Sequence, residues 1–300
     1  MISIAMTTYN GSKYISEQLE SILNQTITDY ELIICDDCST DNTIEIINEF
    51  QKKDSRIKLY HNEQNLGFKK NFERAIKLCT GDYIALCDQD DVWTENHLEV
   101  LLNNIGDNLL CCGNNELVNQ NLESLHIDFF TSNNFSLNKY PCNLDILKKM
   151  LLSGNCFQGA SMLFHKDIIK FYLPLPDEIK YHDSWLSALA CAINKFSVTE
   201  TIITKYRQHE AQVTSSDKSN AGFYKDRIIF CEKLLNRTPS DFSLYEKEII
   251  QIKNYFTNIL SLKGKFKELS YWNENYIYIH PDANKLKKIL RLVKLFIVKN

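Results

Sequence analysis

The sequence lacks both of the common glycine-rich phosphate-binding motifs. No G-x-G-x-x-G follows the first apolar run, ISIAM at residues 2–6, and no G-x-x-x-x-G-K-[ST] occurs anywhere. Only 9 glycines and 5 prolines are present among 300 residues, which excludes a collagen-like or low-complexity chain. Any phosphate group that this protein binds must therefore be neutralised without a dinucleotide-type cradle or a P-loop.

Long apolar runs and a secretion signal are also missing. No stretch approaches the roughly 20 apolar residues of a membrane-spanning helix, and the first residues, MISIAMTTYN, predict a buried strand instead of a signal peptide. We therefore expect the ten cysteines to be reduced thiols in a cytoplasmic protein. Cys35 and Cys38 have C-x-x-C spacing, but no second pair accompanies them, so we expect no zinc site there.

Acidic residues outnumber basic residues in the chain outside the C-terminus. The net charge is −4, and the acidic body argues against nucleic acid as a partner. The last residues, KLKKILRLVKLFIVKN at 285–300, predict a basic amphipathic helix. We expect this tail to attach the protein peripherally to an anionic membrane, at the inner face of the cell membrane. The alternative is a terminal helix packed on the body or on a second subunit.

Strand-like and helix-like segments alternate in the first third of the chain. The apolar runs at 2–6, 31–35, 57–60 and 83–87 are typical of buried strands, and the segments between them have helical periodicity. This alternation predicts an α/β fold with a mostly parallel sheet and helices on both faces. Farther along, we expect a strand at 109–118, helices near 143–152 and after His182, and a helix from Tyr245 to Leu260. The predicted division is a body of residues 1–215 and a helical C-terminal region of residues 216–300.

Polar clusters follow three of the four predicted strands: Thr7-Thr8-Tyr9-Asn10, Asp36-Asp37-Cys38-Ser39 and Asp88-Gln89-Asp90-Asp91. Ligands of such sheets bind beyond the carboxyl ends of the strands. Three carboxylates within four residues repel one another unless cations or hydrogen bonds compensate them. Mg²⁺ and Mn²⁺ prefer oxygen ligands, so this turn predicts a divalent metal site that neutralises a diphosphate leaving group. The alternative is an acidic turn that caps the helix beginning near Thr94.

Five motifs occur in a fixed order across roughly residues 2–210: AMTTYNGSKYISEQLESILNQT, ELIICDDCSTDNT, NLGFKKNFERAI, GDYIALCDQDDVW and HDSW. In these motifs and their order, the chain resembles glycosyltransferase family 2. The resemblance implies the GT-A fold, a Rossmann-like, mostly parallel sheet flanked by helices. It also implies an enzyme that transfers a sugar from a nucleotide sugar with inversion, using Mn²⁺ or Mg²⁺.

The resemblance also implies roles for single residues on the donor side. Tyr9 would stack on the nucleobase, although a plain surface aromatic is the alternative. Asp37 would accept a hydrogen bond from the base imide, while Thr7 and Asn10 would frame the same pocket. Asp88 would face the ribose or the diphosphate.

Metal, base and acceptor positions follow in the same way. Either Asp90 or Asp91 would bind the metal directly, with the choice left open, and His209 would approach the metal or the diphosphate. Asp183 would be the catalytic base, and it could also cap the helix that follows it. Arg207 would pair with phosphate or lie on the surface. The acceptor side is predicted to include Gln158, Gly159 and Trp185.

These features predict transfer of glucose, galactose or rhamnose from a UDP- or dTDP-sugar to a hydroxyl of a glycan acceptor. The acceptor is expected to be lipid-linked and to belong to a bacterial surface polysaccharide such as O-antigen or capsule. The alternative is a non-catalytic module of the same fold that binds a nucleotide or a glycan. A nucleotidyltransferase is disfavoured because TTYNGSKY contains only one glycine.

Overall fold

The computed structural model of the chain describes residues 1–209, 220–239, 243–260 and 269–279. Strands and helices alternate first, as β1 (Ile2–Thr8), α1 (Ile15–Leu23), β2 (Tyr30–Asp36), α2 (Thr43–Lys53), β3 (Ile57–His61), α3 (Phe68–Leu78) and β4 (Tyr83–Cys87). The middle of the chain forms β5 (Val92–Trp93), α4 (His97–Ile105), β6 (Leu110–Val118), β7 (Ser124–Asp128), α5 (Phe129–Ser132), α6 (Asn143–Ser153), β8 (Met162–His165), α7 (Ile169–Tyr172), α8 (His182–Ala192) and β9 (Phe196–Arg207). The described C-terminal helices are α9 (Asn220–Arg237), α10 (Ser243–Leu260), α11 (Leu269–Glu274) and α12 (Tyr276–Ile279).

All strands belong to one sheet, in the order β3-β2-β1-β4-β8-β6-β9-β5, with β7 paired to β6. The first four strands are parallel, and β8 runs antiparallel to both of its neighbours, β4 and β6. Because β2, β1 and β4 lie side by side, their carboxyl ends form one continuous edge. The three polar clusters after these strands therefore meet, as the sequence predicts.

Both faces of the sheet are buried, because helices cover each of them. Alternate residues of β1 point to opposite sides: Ile4 and Met6 join one hydrophobic cluster and Ala5 joins the other. Helix α1 covers the first side through Ile15 and Leu19, four residues apart and both fully buried. The predicted strands at 2–6, 31–35, 57–60 and 83–87 are confirmed, and the strand at 109–118 begins one residue later than expected.

The described C-terminal helices share the hydrophobic cluster of the opposite face with α6 and α8. Ile249 and Phe256 of α10 and Trp272 of α11 are buried in it. The predicted helix from Tyr245 to Leu260 is confirmed and begins at Ser243. A division near residue 215 stays a prediction, and the predicted amphipathic helix at 285–300 lies outside the described residues. Among the helices that are described, none has the length and apolar character needed to cross a membrane.

Candidate active site

A cleft of about 1080 Å³ opens at the carboxyl edge of the parallel strands. It brings together side chains from the loops after β1, β2 and β4, from the start of α8 and from the end of β9. Ten of the twelve predicted site residues line it: Thr7, Tyr9, Asn10, Asp37, Asp88, Asp90, Gln158, Gly159, Asp183 and His209. Asp91 and Trp185 do not.

The loop after β1 is fixed to the acidic turn by one amide side chain. Gln89 Oε1 accepts a hydrogen bond from Tyr9 N at 2.9 Å, and Gln89 Nε2 donates to Tyr9 O at 3.0 Å. A Cβ at Gly11 would lie 2.2 Å from Gln89 Oε1, so only glycine leaves room for Gln89 in the position that makes both hydrogen bonds. Asn10 has a φ of 49°, a left-handed conformation that asparagine tolerates. The Tyr9 ring, half exposed, thus borders the cleft on a fixed backbone.

Asp37 is buried, and its carboxylate already has several partners. It accepts hydrogen bonds from Leu66 N at 2.7 Å, from Gly67 N at 2.8 Å and from Asn62 Nδ2 at 2.5 Å. A carboxylate offers about four acceptor positions. One position therefore remains for a ligand in the cleft, in a fixed orientation.

The acidic turn after β4 divides its three carboxylates between different environments. Burial, together with the charges of Asp90 and Asp183, raises the pKa of Asp88 to about 8. Asp90 lines the cleft, and its Oδ2 lies 2.9 Å from His209 Nε2. Asp91 is fully buried beneath the turn and accepts a hydrogen bond from Arg207 N at 3.1 Å. Asp90, not Asp91, is thus the residue exposed to the cleft.

Arg207 holds this turn in place from below. Its Nε donates to Asp90 O at 2.7 Å, its Nη1 donates to Gln120 O at 2.6 Å, and its Nη2 pairs with Glu17. The guanidinium also lies over the Tyr14 ring, 4.5 Å from the centroid. Only 1% of Arg207 is exposed, so neither a direct contact with phosphate nor a surface role fits it. It is a positioning residue.

Asp183 lies in the first turn of α8 and faces the cleft. Its Oδ1 accepts a hydrogen bond from Ser184 N at 2.6 Å, and Asn155 Nδ2 lies 3.3 Å from its Oδ2. Burial raises the pKa of Asp183 to about 6, against the lowering effect of backbone hydrogen bonds that include Gly159. This carboxylate is ionised near neutral pH and can accept a proton.

The segment before β8 packs closely on the start of α8, the helix that carries Asp183. A Cβ at Gly159 would lie 3.0 Å from His182 Nε2, tighter than ordinary contacts, so glycine lets the two segments approach. Burial lowers the pKa of His182 to about 4, so its ring is neutral and packs on Phe72 at a centroid distance of 4.3 Å. Gln158 also lines the cleft.

Trp185 requires a correction. The sequence predicts it on the acceptor side, but its ring is fully buried between α8 and α9. Its Nε1 donates to Tyr172 O at 3.3 Å, and its ring packs edge-to-face on Phe230 at 5.6 Å. Because Trp185 is two residues after Asp183 on a helix, the two side chains point in different directions. Trp185 therefore supports the helix of the predicted base from the core.

Asp90 and His209 form the part of the cleft that fits a divalent metal. In the described ranges, no group of three or more His, Cys, Asp or Glu side chains is arranged to hold a metal ion. Mg²⁺ and Mn²⁺ at nucleotide sites, however, usually take one or two protein ligands and fill the other positions with water and phosphate oxygens. A carboxylate oxygen and an imidazole nitrogen, beside further carboxylates, match that donor set.

Comparison with known proteins identifies the family. The family model described as Glycosyl transferase family 2 matches residues 3–171. The chain belongs to this family. A relative from Escherichia coli, the UDP-Glc:alpha-D-GlcNAc-diphosphoundecaprenol beta-1,3-glucosyltransferase WfgD, is 32% identical over 227 residues, 72% of this chain and 80% of the relative. The putative teichuronic acid biosynthesis glycosyltransferase TuaG of Bacillus subtilis is 36% identical over 99 residues, 33% of this chain and 39% of TuaG.

Solved structures support the fold of this family 2 glycosyltransferase. S. aureus TarS residues 1–349 in complex with UDP-GlcNAc has a TM-score of 0.63 at 20% identity, covering 98% of this chain and 80% of that one. The mannosyltransferase PcManGT from Pyrobaculum calidifontis, in complex with GDP-Man and Mn²⁺, has a TM-score of 0.54 at 14% identity, covering 97% and 78%. The predicted GT-A fold is confirmed.

The sequence predictions include no role for Gln89, and neither role predicted for Arg207 agrees with its burial. Gln89 is within the quoted acidic motif, and the single glycine of TTYNG was the available signal that a side chain approaches closely there. Nothing in the sequence links Arg207 to Glu17, which is 190 residues away in the chain.

We predict that Arg207→Met lowers kcat/KM for sugar transfer roughly 10- to 100-fold, because the turn that carries Asp90 loses its support. The measurement is the initial rate of the purified glycosyltransferase, accompanied by a thermal melt to separate misplacement from unfolding. Arg56→Met is the matched control, because Arg56 pairs with Asp54 and does not line the cleft. Equal rates for the Arg207 variant and the control would contradict the positioning role.

Proposed function

We propose that this protein is an inverting glycosyltransferase that moves a sugar from a UDP- or dTDP-sugar to a hydroxyl of a lipid-linked glycan acceptor. The observation that carries this proposal is that a metal-compatible pair, Asp90 and His209, faces the same cleft as the buried carboxylate of Asp183. The pair of Asp90 and His209 suits a departing diphosphate, and Asp183 suits proton removal from an attacking hydroxyl. The process is bacterial surface polysaccharide assembly.

The donor nucleotide binds on the β1 and β2 side of the cleft. The exposed Tyr9 ring offers a stacking surface for a nucleobase. Asp37 uses its remaining acceptor position for a base imide, which a pyrimidine such as uracil or thymine provides. Thr7 and Asn10 frame this pocket, and Asp88 lies toward the ribose and the diphosphate.

Asp90 and His209 would hold Mn²⁺ or Mg²⁺, while Asp91 stays buried beneath the turn. When bound, this cation would supply Lewis-acid neutralisation of the charge that builds on the leaving diphosphate. Several acidic side chains lie near this position, so a cation would offset their repulsion of the diphosphate. Arg207 keeps the Asp90 backbone fixed for this task.

Asp183 takes the proton of the acceptor hydroxyl as that oxygen attacks the anomeric carbon from the face opposite the diphosphate. One carboxylate is sufficient for an inverting transfer. Hydrogen bonds from Ser184 N and Asn155 orient the Asp183 carboxylate. The raised pKa makes this aspartate a stronger base than a solvated one, while it stays mostly ionised at pH 7.

Among the predicted donors, UDP-glucose is favoured over UDP-galactose and dTDP-rhamnose. The relative WfgD is described as a UDP-Glc-dependent glucosyltransferase that acts on alpha-D-GlcNAc-diphosphoundecaprenol. The same description favours an acceptor sugar joined through a diphosphate to a lipid. A lipid-linked acceptor lies at a membrane surface, which agrees with a peripheral position on the inner face of the cell membrane.

We expect deletion of residues 285–300 to reduce co-sedimentation with anionic liposomes, because these residues contain six basic side chains among apolar ones. Each basic residue contributes up to ~1 kcal/mol near an anionic surface. The comparison is made at low and high salt, with neutral liposomes as the control. Unchanged binding after the deletion would mean that the tail packs on protein instead.

A donor screen tests the transfer itself. We expect nucleoside diphosphate release from one of UDP-glucose, UDP-galactose or dTDP-rhamnose in the presence of Mn²⁺ and a lipid-diphosphate acceptor. EDTA and Asp90→Asn should each lower the rate by at least about 100-fold, because the leaving group loses its counter-charge. Asp29→Asn is the matched control, since Asp29 is exposed and lies outside the cleft.

The opposite results separate the alternatives. Turnover that survives EDTA would remove metal dependence from the proposal. No turnover with any donor, combined with saturable binding of UDP or dTDP, would favour the non-catalytic binding module of the same fold.

The pH dependence of kcat/KM tests Asp183, because this parameter reports ionisations of the free enzyme. The base must be ionised, and its pKa is about 6, so the rate should be near its maximum above pH 7 and fall as pH decreases through 6. Below that point we expect roughly a tenfold loss per pH unit. Asp183→Asn should remove at least about 99% of the activity. A profile that is flat between about pH 5 and 8, or an active asparagine variant, would assign the base to another residue.

A further inference from the structure

Arg227 of α9 is a cation that makes no ion pair among the described residues, and the charge of Asp226, next to it in the chain, acts on it without a salt bridge. No ion pair or hydrogen bond joins it to another described side chain, and its Nε is buried without a partner. Burial also lowers the pKa of Arg227, which reflects the loss of water around the guanidinium. A desolvated charge is costly unless it is paired, so this side chain is suited to an anion that the described residues do not supply.

Two aromatic rings of the same helix lie close to the Arg227 guanidinium. The guanidinium lies 4.8 Å from the Phe223 ring centroid and 5.8 Å from that of Phe230, its neighbours at i−4 and i+3 on α9. Rings that pack on a guanidinium contact its face, whereas its N–H donors lie in the plane. An in-plane fork of donors matches the oxygens of a phosphate.

Two contacts connect Arg227 to the predicted base. Phe230, one turn farther along α9, packs on Trp185, two residues after Asp183 in α8. On the other side, a Cβ built at Gly154 would lie 4.0 Å from Arg227 Nη2. The next residue, Asn155, directs its Nδ2 to Asp183 Oδ2 at 3.3 Å. The guanidinium therefore lies beside the loop that orients the base.

The position of the base defines where the acceptor must be, because its attacking hydroxyl has to reach Asp183. In the proposed function the donor diphosphate has other partners, the cation held by Asp90 and His209. We propose that Arg227 binds phosphate oxygens of the acceptor's diphosphate, so that the lipid-linked sugar presents its hydroxyl to Asp183. This assignment rests on the proposed function, in which the acceptor carries a lipid diphosphate.

The test uses the full-length protein and two acceptors with the same sugar and the same alkyl chain. One acceptor is an α-linked N-acetylglucosamine diphosphate ester, and the other is the α-alkyl glycoside without phosphate. We expect Arg227→Met to raise KM for the diphosphate acceptor roughly 10- to 100-fold, the loss of one charge-assisted hydrogen-bonded pair. The KM of the neutral glycoside should not change. Arg227→Lys should give an intermediate value for the diphosphate acceptor.

Lys225→Met is the matched control, because Lys225 is an exposed cation on the same helix. It should leave both KM values unchanged. An unchanged KM for the diphosphate acceptor in Arg227→Met would overturn the proposal. An equal loss with both acceptors would also overturn it, since that pattern indicates a structural effect.

A binding measurement separates this inference from the proposed transfer. Calorimetric titration of the diphosphate acceptor is made with Mn²⁺ and UDP at saturation, so that the donor position is filled. Weaker binding by Arg227→Met than by the unmodified protein supports the inference even if no donor is turned over. Absence of binding to the unmodified protein overturns it.

Binding to anionic vesicles without acceptor is measured as well. If Arg227→Met weakens binding to these vesicles, the phosphate belongs to a lipid headgroup and the acceptor assignment is wrong.

Discussion

Negative charge is concentrated at the carboxyl edge of the sheet, and the rest of the site depends on how that charge is compensated. Asp88, Asp90 and Asp91 follow β4 directly, and Asp183 approaches from α8. Burial and, after it, the charges of Asp90 and Asp183 raise the pKa of Asp88, and burial raises that of Asp183. The nearest guanidinium, Arg207, is engaged with Glu17 and with backbone carbonyls. In the proposed function, an external cation at this edge would offset the charge of the donor diphosphate.

Much of the parallel half of the fold follows from the sequence. The periodicity of the apolar residues and the order of strands and helices along the chain determine it. Once β2, β1 and β4 are adjacent, the clusters after them must meet at one edge. The sequence does not, however, determine which aspartate of the acidic turn has which role. Which of Asp90 and Asp91 faces the cleft depends on Arg207, more than 100 residues later, and a single sequence carries no signal for that contact.

The acceptor side was the least predictable part for a related physical reason. Trp185 follows the predicted base by two residues, and helical geometry turns it toward the core, where Phe230 of α9 packs on it. The apolar pattern of α9 predicts a helix but not the helix against which it packs. That partner is chosen by tertiary packing, and only then does Arg227 reach the loop before β8.

The proposed reaction contains two diphosphates, and they require different electrostatic partners. The donor diphosphate gains charge as the anomeric bond breaks, so an interaction that strengthens in the transition state, such as a metal at Asp90 and His209, accelerates the step. The acceptor diphosphate has the same charge before and after transfer. A fixed guanidinium such as Arg227 therefore contributes equally to the ground state and the transition state, and its effect belongs in acceptor KM instead of kcat.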